Sequence, residues 1–283
     1  MPELPEVETV VRALRAPLVG RVFADVRNDW PRHIATPAPQ ELAARLPGRE
    51  ILAISRRGKY LVFTLSQHET LIIHLKMSGH LAVVDSRTPP DKHVHTIFGL
   101  VPEPGRETRQ ELRFRDPRKF GRVYLVHDPQ DILGKLGPEP LDEQFTVAAL
   151  RQRLAGRRRV LKPLLLDQSV IAGIGNIYAD EALWRAQVHG RRMASTLTKP
   201  SIARVLGHAR DVMTEALGEG GTSFDALYVN VNGASGYFDR SLAAYGQVGR
   251  PCRRCGTLIM REHFMNRSSF FCPRCQVAPR RPR

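Results

Sequence analysis

The sequence is poor in the features that mark membrane and secreted proteins. No apolar run approaches the roughly 18 residues that a membrane span needs. The opening stretch, MPELPEVETV, is acidic and proline-rich, unlike the basic and apolar start of a signal peptide. No internal repeat is present, and 42% hydrophobic and 25% charged residues are typical of globular domains. At 283 residues we therefore expect a cytoplasmic protein of two ordinary domains.

Acidic residues are scarce relative to basic ones. Asp and Glu number 28 against 43 Lys and Arg, which gives a net charge of +15 and a pI near 10.4. The excess is concentrated, with nine Arg and one Glu in 250–283 and six cations in 151–162. Such charge favours a polyanionic partner, because each neutralised phosphate releases a condensed counterion. Nucleic acid is favoured over an anionic lipid surface, since no amphipathic anchor accompanies the charge.

Cysteine is rare, and all of it lies in the C-terminal tail. Two C-x2-C pairs, separated by 16 residues, are formed by Cys252, Cys255, Cys272 and Cys275. Each pair turns two thiolates toward one point, so the spacing predicts a four-thiolate zinc site with a hairpin between the pairs. Two structural disulfides are the alternative, which a cytoplasmic location disfavours. Four protein ligands leave no open position, so we expect one structural zinc ion (Zn2+).

The hydrophobic pattern divides the chain. It predicts a β-rich domain over 1–128 behind one helix at 5–18, which Gly20 closes. Asp128-Pro129 and Gly137-Pro138 mark a linker at 129–140; a helical domain at 141–247 and the cysteine module at 248–283 follow. Strands are predicted at 22–26, 51–54, 60–65, 71–75, 112–115 and 122–126, and later helices at 147–155, 162–166, 177–186 and 201–219.

Four stretches resemble the signatures of the formamidopyrimidine-DNA glycosylase family, which excises 8-oxoguanine and ring-opened purines. They are MPELPEVE at the start, GIGNIYADEAL from Gly173, GGTSFDALYVNVNG from Gly220, and the cysteine module. They appear in the family's order and span nearly the whole chain. The resemblance implies an α+β multidomain fold: an N-terminal β-sandwich with an N-terminal helix, and a C-terminal helical domain with a helix–two-turns–helix motif and a four-cysteine zinc finger.

Leu4 favours the purine-lesion branch, because the sister family for oxidised pyrimidines typically has glycine at this position. The resemblance implies a bifunctional glycosylase and abasic-site lyase, a monomer acting on double-stranded DNA in the bacterial cytosol and nucleoid. Two alternatives stay open. One is the sister glycosylase for oxidised pyrimidines, and the other is a non-catalytic zinc-ribbon DNA-binding protein, which would have no need of Pro2 beside Glu3.

Base removal and sugar opening can both be carried out by an amine that forms a Schiff base with the sugar aldehyde. The amine must be unprotonated, and an α-amino group, with a pKa of roughly 7.7–8.0, is closer to that state than a lysine at about 10.4. The resemblance assigns this role to Pro2, freed by removal of the initiator methionine. It makes Glu3 the general acid and base. Glu6 would hold the amine or a water, and Lys59 would contact DNA in support of catalysis. Ordinary helix N-terminal carboxylates and a solvated turn lysine are the alternative interpretations.

The resemblance also implies the residues that grip DNA. It assigns phosphate contacts to Asn176, Tyr245 and Arg267, of which Asn176 stands at a predicted helix start. His93 and His74 are interpreted either as phosphate contacts or as structural histidines. The sequence departs from the family's usual residues nearby, at Gln247, Asn266 and Ser268.

Extrusion of a base leaves a hole in the helix that side chains must fill. The resemblance assigns this role to Met77, Arg118 and Phe120, with Arg118 facing the orphaned cytosine. An ordinary core role for the two apolar residues is the alternative. Lys76, before Met77, replaces a usual glycine. The loop from Ser223 to Tyr237 resembles the segment that closes over the extruded base, or is simply a linker.

Overall fold

The computed structural model describes residues 1–105, 108–222 and 241–279. Within these ranges the chain forms two compact units, one from Met1 to Lys135 and the other from Leu136 to Thr222 together with 241–279. None of the helices in the described ranges is long and apolar enough to cross a membrane.

Two sheets make up most of the first unit. One has the strand order β1-β7-β8-β6, and the other has the order β2-β9-β5-β4-β3. Neighbouring strands pair antiparallel except β2 and β9, which are parallel. The strands are β1 (Phe23–Asn28), β2 (Ile34–Thr36), β3 (Ile51–Arg57), β4 (Tyr60–Leu65), β5 (Thr70–His74), β6 (His80–Asp85), β7 (Val94–Leu100), β8 (Gln110–Arg115) and β9 (Arg122–Val126).

The N-terminal helix α1 (Leu4–Leu18) completes the core of this unit. Its apolar residues recur every three or four positions, which places Val7, Val11 and Leu14 on one fully buried face. They join a single apolar cluster with residues from both sheets, so the predicted β-sandwich behind an N-terminal helix is confirmed. Gly20, at φ +85°, takes the left-handed conformation that ends the helix.

The first unit contains elements that the hydrophobic pattern did not predict. They include the helices α2 (Pro39–Arg45) and α3 (Gln130–Leu133) and the strands β2, β6 and β7. α3 lies within the stretch 129–140 that was predicted as a linker.

The second unit is helical and closes with a hairpin. Its elements are α4 (Val147–Leu154), α5 (Leu161–Leu166), α6 (Asn176–Ala186), α7 (Lys199–Gly218), β10 (Met260–Phe264) and β11 (Arg267–Phe271). The Gln168 side chain braces the turns between α5 and α6, since its amide donates to the carbonyls of Leu166 and Ile174 and its oxygen accepts from Gly173. α5, these turns and α6 form the predicted helix–two-turns–helix motif.

Candidate functional site

Pro2 and Glu3 lie immediately before α1, and both are buried. Glu3 is the N-cap of the helix, with extended backbone at φ −101° and ψ −169°, and only 2% of it is exposed. The Glu3 backbone N–H donates to Glu6 Oε2 at 2.9 Å, as in a capping box. The first turn of α1 therefore fixes the backbone that carries Pro2, with two carboxylates at the positive end of the helix dipole.

Lys59 lies at the tip of the β3–β4 hairpin but is not solvated. Arg57 pairs with Tyr60 across a two-residue turn, in which Gly58 takes φ +57°. The Arg56 guanidinium donates to the Gly58 carbonyl at 3.0 Å, and Lys59 is only 4% exposed. A lysine that turns inward from a hairpin tip does not fit the interpretation as a solvated turn residue.

His74 ends β5 as a buried, neutral imidazole. Its Nδ1 accepts from the Lys76 backbone N–H at 2.9 Å. Burial, reinforced by the charges of Lys76 and Lys59, lowers the pKa of His74 to about 3. Lys76 itself has φ +56°, a left-handed conformation that costs an L-residue roughly 1–2 kcal/mol. The preference for glycine at this position thus has a conformational origin.

Met77 and Phe120 project from two turns of the first unit, the one after β5 and the one between β8 and β9. They are 36% and 48% exposed. The Arg118 guanidinium carbon lies 5.5 Å from the centre of the Phe120 ring, a cation–π arrangement. The structure thus gives Met77 and Phe120 exposed positions rather than core positions.

His93 is half-buried next to the second of these turns. Its backbone N–H donates to Asp91 Oδ1 at 2.7 Å, and its carbonyl accepts from the backbone N–H of Asp116 at 2.8 Å. Both contacts use the main chain and fix the backbone of His93 at this position.

In the second unit, Asn176 is the first residue of α6 and reaches the zinc-module hairpin. Its Nδ2 donates to the Ser268 carbonyl at 2.9 Å, and the same carbonyl accepts from Lys162 Nζ at 3.2 Å. Ser268 follows Arg267, the exposed arginine at the start of β11. The Ser268 carbonyl therefore connects the start of α6 to the residue that directly follows Arg267.

Asp180 and Glu181 are buried acids that the sequence analysis did not single out. Asp180 accepts from the Ser269 hydroxyl at 3.2 Å and from the Phe270 N–H at 3.0 Å, and it pairs with Lys162. Glu181 accepts from the backbone N–H groups of residues 243, 244 and 245, at 2.8–3.1 Å. Burial raises the pKa of Glu181, while these three N–H groups oppose the rise. Both acids lie within GIGNIYADEAL, and their place in that motif was the one signal that could have found them.

Glu181 in this way fixes the segment that carries Tyr245. The Tyr245 ring packs edge-on against Phe270 at 5.1 Å, so the predicted phosphate contact rests on the zinc module. Ser223 and Tyr237, predicted to bound the lesion-covering loop, lie outside the described residues.

Asn266 and Ser268, which differ from the family's usual residues, lie at the turn of the zinc-module hairpin and in the strand that follows it. Phe264 pairs with Arg267 across Met265 and Asn266, and Met265 takes φ +49°. The Ser268 hydroxyl accepts from Arg261 Nε at 2.8 Å, which braces the hairpin across its two strands. An open cavity of about 420 Å³ adjoins this turn; it is lined by Arg159, Pro163, Leu166, Asp167, Met265, Asn266 and Arg267.

The four cysteines form a cluster suited to a tetrahedral metal ion. Their sulfur atoms all lie within 4.8 Å of one another. Zinc–sulfur bonds of about 2.3 Å place thiolates about 3.8 Å apart in a tetrahedron, so the donor set fits zinc. The Trp184 indole N–H donates to Cys252 Sγ at 3.4 Å, and Trp184 shares an apolar cluster with Cys252 and Cys272. The cluster therefore joins α6 to the hairpin.

Three family models match the chain in sequence. The formamidopyrimidine-DNA glycosylase N-terminal domain matches residues 1–123, the H2TH domain of the same family matches 136–226, and a zinc finger found in FPG and IleRS matches 249–277. The last match and the four-cysteine cluster together indicate one structural zinc ion.

Relatives match over the full length. Formamidopyrimidine-DNA glycosylase from Rhodococcus opacus is 50% identical over 291 residues, covering 99% of both chains, and that from Nocardia farcinica is 48% identical over 302 residues, covering 99% of this chain and all of the relative. Among solved structures, Lactococcus lactis Fpg bound to DNA with an abasic site superimposes with a TM-score of 0.89 at 34% identity, over 98% of this chain and 100% of the other. A mutant of that enzyme, bound to DNA with Fapy-dG, gives the same values.

Proposed function

The chain belongs to the formamidopyrimidine-DNA glycosylase family, and we propose that it removes oxidised purines from duplex DNA with Pro2 as the nucleophile. It is a DNA glycosylase of base excision repair with abasic-site lyase activity, and double-stranded DNA with damaged or missing bases is its substrate. Cytoplasmic activity on chromosomal DNA is part of the proposal. The proposal rests most on one observation: Pro2 and Glu3 are both buried at the fixed start of α1.

The first step joins protein and sugar. Once Met1 is removed, the Pro2 nitrogen carries a lone pair, which attacks C1′ of the damaged nucleotide. Burial and the positive end of the α1 dipole both disfavour an ammonium here, so they favour the nucleophilic form. Glu3 protonates the ring oxygen O4′ and the ring opens; the base leaves with its bonding electron pair and takes up the proton that the Pro2 nitrogen gives up.

The second step cleaves the strand. After the base departs, a positively charged iminium joins the Pro2 nitrogen to C1′ of the opened sugar. This cation draws electrons from C2′, so a general base can remove a C2′ proton and the 3′ phosphate departs; a further elimination releases the 5′ phosphate. Glu3, now a carboxylate, is placed to accept protons, and Lys59 supplies positive charge from the β3–β4 turn. Glu6 keeps the Glu3 backbone in position through the 2.9 Å hydrogen bond.

Residues that hold the DNA are proposed on both units. Asn176, Tyr245 and Arg267 contact phosphate on the second unit, and His93 contacts phosphate on the first. The fixed Ser268 carbonyl and the exposed Arg267 beside it support this assignment. On the first unit, Met77, Arg118 and Phe120 fill the space left by the extruded base, a role that their exposed positions permit.

Borohydride trapping tests the proposal. The protein is incubated with a duplex that carries 8-oxoguanine opposite cytosine, and borohydride reduces any iminium to a stable amine. We expect a covalent adduct whose DNA-bearing peptide begins at Pro2, identified by mass spectrometry. A matched duplex with an oxidised pyrimidine tests the sister specificity. Specific binding of the lesion with neither base release nor an adduct would show a binding protein instead.

A further inference from the structure

The Asp116 carboxylate connects the two turns that carry the exposed apolar side chains. Its Oδ1 accepts from the Ser78 hydroxyl at 2.6 Å and from the Arg118 backbone N–H at 3.2 Å. Its Oδ2 accepts from the Gly121 backbone N–H at 2.7 Å. Ser78 directly follows Met77, and Arg118 and Gly121 flank Phe120. A single side chain thus bonds to both turns at once.

The Asp116 carboxylate is buried, and His33 packs against it. Asp116 and His33 are both fully buried, with His33 Nε2 3.4 Å from Asp116 Oδ2. The His33 ring stacks on Phe114 at 4.9 Å, and its Nδ1 lies 3.2 Å from Thr96 Oγ1. Burial opposes ionisation of Asp116, but the contacts with His33, Ser78 and Gly121 outweigh it and lower its pKa to about 2. The carboxylate is therefore charged at neutral pH, with both oxygens available as acceptors.

Tight packing leaves the two turns little freedom. A side chain at Gly79 or at Gly121 would overlap the ring of Phe114, so both turns close against this one ring. The rigid base of each turn contrasts with its exposed tip, where Met77 and Phe120 lie.

We propose that Asp116 is the positioning residue for base extrusion. By fixing the spacing of the two turns, it lets Met77, Arg118 and Phe120 enter the base stack as one preorganised wedge. The inference rests on the proposed function of these three residues in filling the vacated space. Two turns that moved independently would have to be ordered during extrusion, which would reduce its rate.

Replacement of the Asp116 carboxylate by an amide tests its role as an acceptor. Asp116→Asn keeps the shape of the side chain but replaces one acceptor oxygen with an NH2 group. If the NH2 faces Gly121, it opposes the Gly121 backbone N–H. If it faces the other way, the Ser78 hydroxyl can turn to accept from it, but it opposes the Arg118 backbone N–H. In either orientation the amide lacks the negative charge and opposes one backbone N–H of the Phe120 turn. Ser78→Ala is the milder second variant, since it removes the Ser78 bond to Asp116 and the 3.2 Å bond that the Ser78 hydroxyl accepts from the Arg118 backbone N–H, but leaves the charged carboxylate and its bonds to the Phe120 turn.

The test compares two substrates. Single-turnover base release is measured on a duplex with 8-oxoguanine opposite cytosine, and strand cleavage is measured on a duplex with a pre-formed abasic site, where no base has to leave. We expect Asp116→Asn to lose roughly 10- to 100-fold in base release, the effect of losing one or two hydrogen bonds to a charged acceptor. Abasic-site cleavage should stay within about threefold of wild type. Ser78→Ala should show a smaller loss of the same kind, and the double variant Met77→Ala/Phe120→Ala a larger one.

Glu69→Gln is the matched control. Glu69 is also a buried carboxylate of the first unit, but it binds Arg45, at 2.9 and 3.1 Å, and is bonded to neither turn. A fluorescent base analogue next to the lesion adds a readout of stack opening at saturating protein. We expect a reduced signal with Asp116→Asn and an unchanged one with Glu69→Gln.

The outcomes separate this inference from the function on which it rests. Wild-type protein that releases no base overturns the proposed function, and the inference with it. Normal base release by both Asp116→Asn and Ser78→Ala overturns the inference alone. Equal losses on both substrates, shared by Glu69→Gln, would make Asp116 a stabilising residue of the fold and would also overturn it. If Asp116→Asn does not fold, the substrate dependence of Ser78→Ala decides.

Discussion

Lys162 and Asp180 form an ion pair in the interior of the second unit, with Nζ 2.6 Å from Oδ1 and at most 1% of either side chain exposed. The two residues also bond to three consecutive hairpin residues, Lys162 to Ser268 and Asp180 to Ser269 and Phe270. Burial raises the pKa of the Asp180 carboxyl and Lys162 opposes the rise, so the charge on the acid depends on its partner. The pair fixes the strand that begins with Arg267.

Removal of both members of the pair should cost less than the sum of the two single removals. Asp180→Asn leaves a buried ammonium without its counter-charge, so we expect a loss of about 3–5 kcal/mol in the free energy of unfolding of the second unit. Lys162→Met/Asp180→Asn should cost less than the sum of the single changes. Urea titrations followed by Trp184 emission in a Trp30→Phe background measure this unit, because each unit has one of the two tryptophans. Additive costs would show that the two charges are not coupled.

Zinc removal should be visible at Trp184. Its indole donates to Cys252 and packs in the cluster around the cysteines. Chelation should therefore expose the ring and shift its emission to longer wavelength. DNA affinity should fall by roughly tenfold or more, because Arg267 and neighbouring arginines lose their fixed positions. The Trp30→Phe variant isolates the signal. Unchanged emission and affinity after exhaustive chelation would contradict a structural role for the metal.

His74 should make the first unit sensitive to acid. Its pKa is about 3 in the folded protein, lowered chiefly by burial, and near 6.5 in an unfolded chain. Its contribution to stability is therefore complete above about pH 6.5 and decreases as the pH falls toward 3. His74→Asn, which retains an acceptor for the Lys76 N–H, should reduce the slope of unfolding free energy against pH by up to about 1.4 kcal/mol per pH unit. Urea titrations of the wild type and of His74→Asn between pH 7.5 and 5 give the two slopes. Equal slopes would contradict the prediction.

Blocking the Pro2 nitrogen should abolish catalysis. An acetyl group, or an extension that survives processing, removes the lone pair and with it both base release and borohydride trapping. Lesion binding should largely survive, since the phosphate contacts do not use the amine. A C-terminal extension of the same length is the control. Normal excision by the blocked chain would place the nucleophile elsewhere, with Lys59 the next candidate.

Glu3→Gln should separate the two halves of the reaction. The variant keeps the Pro2 amine and loses the proton donor, so base release should fall roughly 10²- to 10⁴-fold. A pre-formed abasic aldehyde needs no base release, and trapping on it should persist. Loss of trapping as well, in a variant with wild-type stability, would mean that Glu3 acts on the amine itself.

The spacing of apolar residues predicted the helices and strands in which these residues recur regularly. The predicted helix at 5–18 corresponds to α1, and the predicted strands at 60–65 and 122–126 match β4 and β9 to the residue. β7 was not predicted. All but its first residue are buried, so its sequence does not alternate between polar and apolar residues. α2 is short, and Ala38 at its N-cap has no side chain that could accept a hydrogen bond, so only Pro39 and Glu41 mark its first turn.

The sequence motifs identified the residues proposed to act on DNA but not those that hold them in place. Asp116 and Ser78 are 38 positions apart, and no local pattern connects them. Asp180 and Glu181 read as ordinary helix-surface charges, whereas the fold buries both to 1% exposure. Such contacts depend on which distant segments pack together, so the folded chain is needed to identify the partners of these side chains.

The place of β9 in its sheet makes that sheet late to close. β9 lies inside the five-stranded sheet, between β2 and β5, yet it is the last strand of that sheet to leave the ribosome, and Ile34 of β2 must wait for Val123 of β9. Segments made first emerge first, while pairing of distant segments is slow. The core that α1 shares with both sheets therefore closes only after the chain has been made as far as β9. The buried start of α1, which carries Pro2 and Glu3, is one of the first segments made and one of the last to be enclosed.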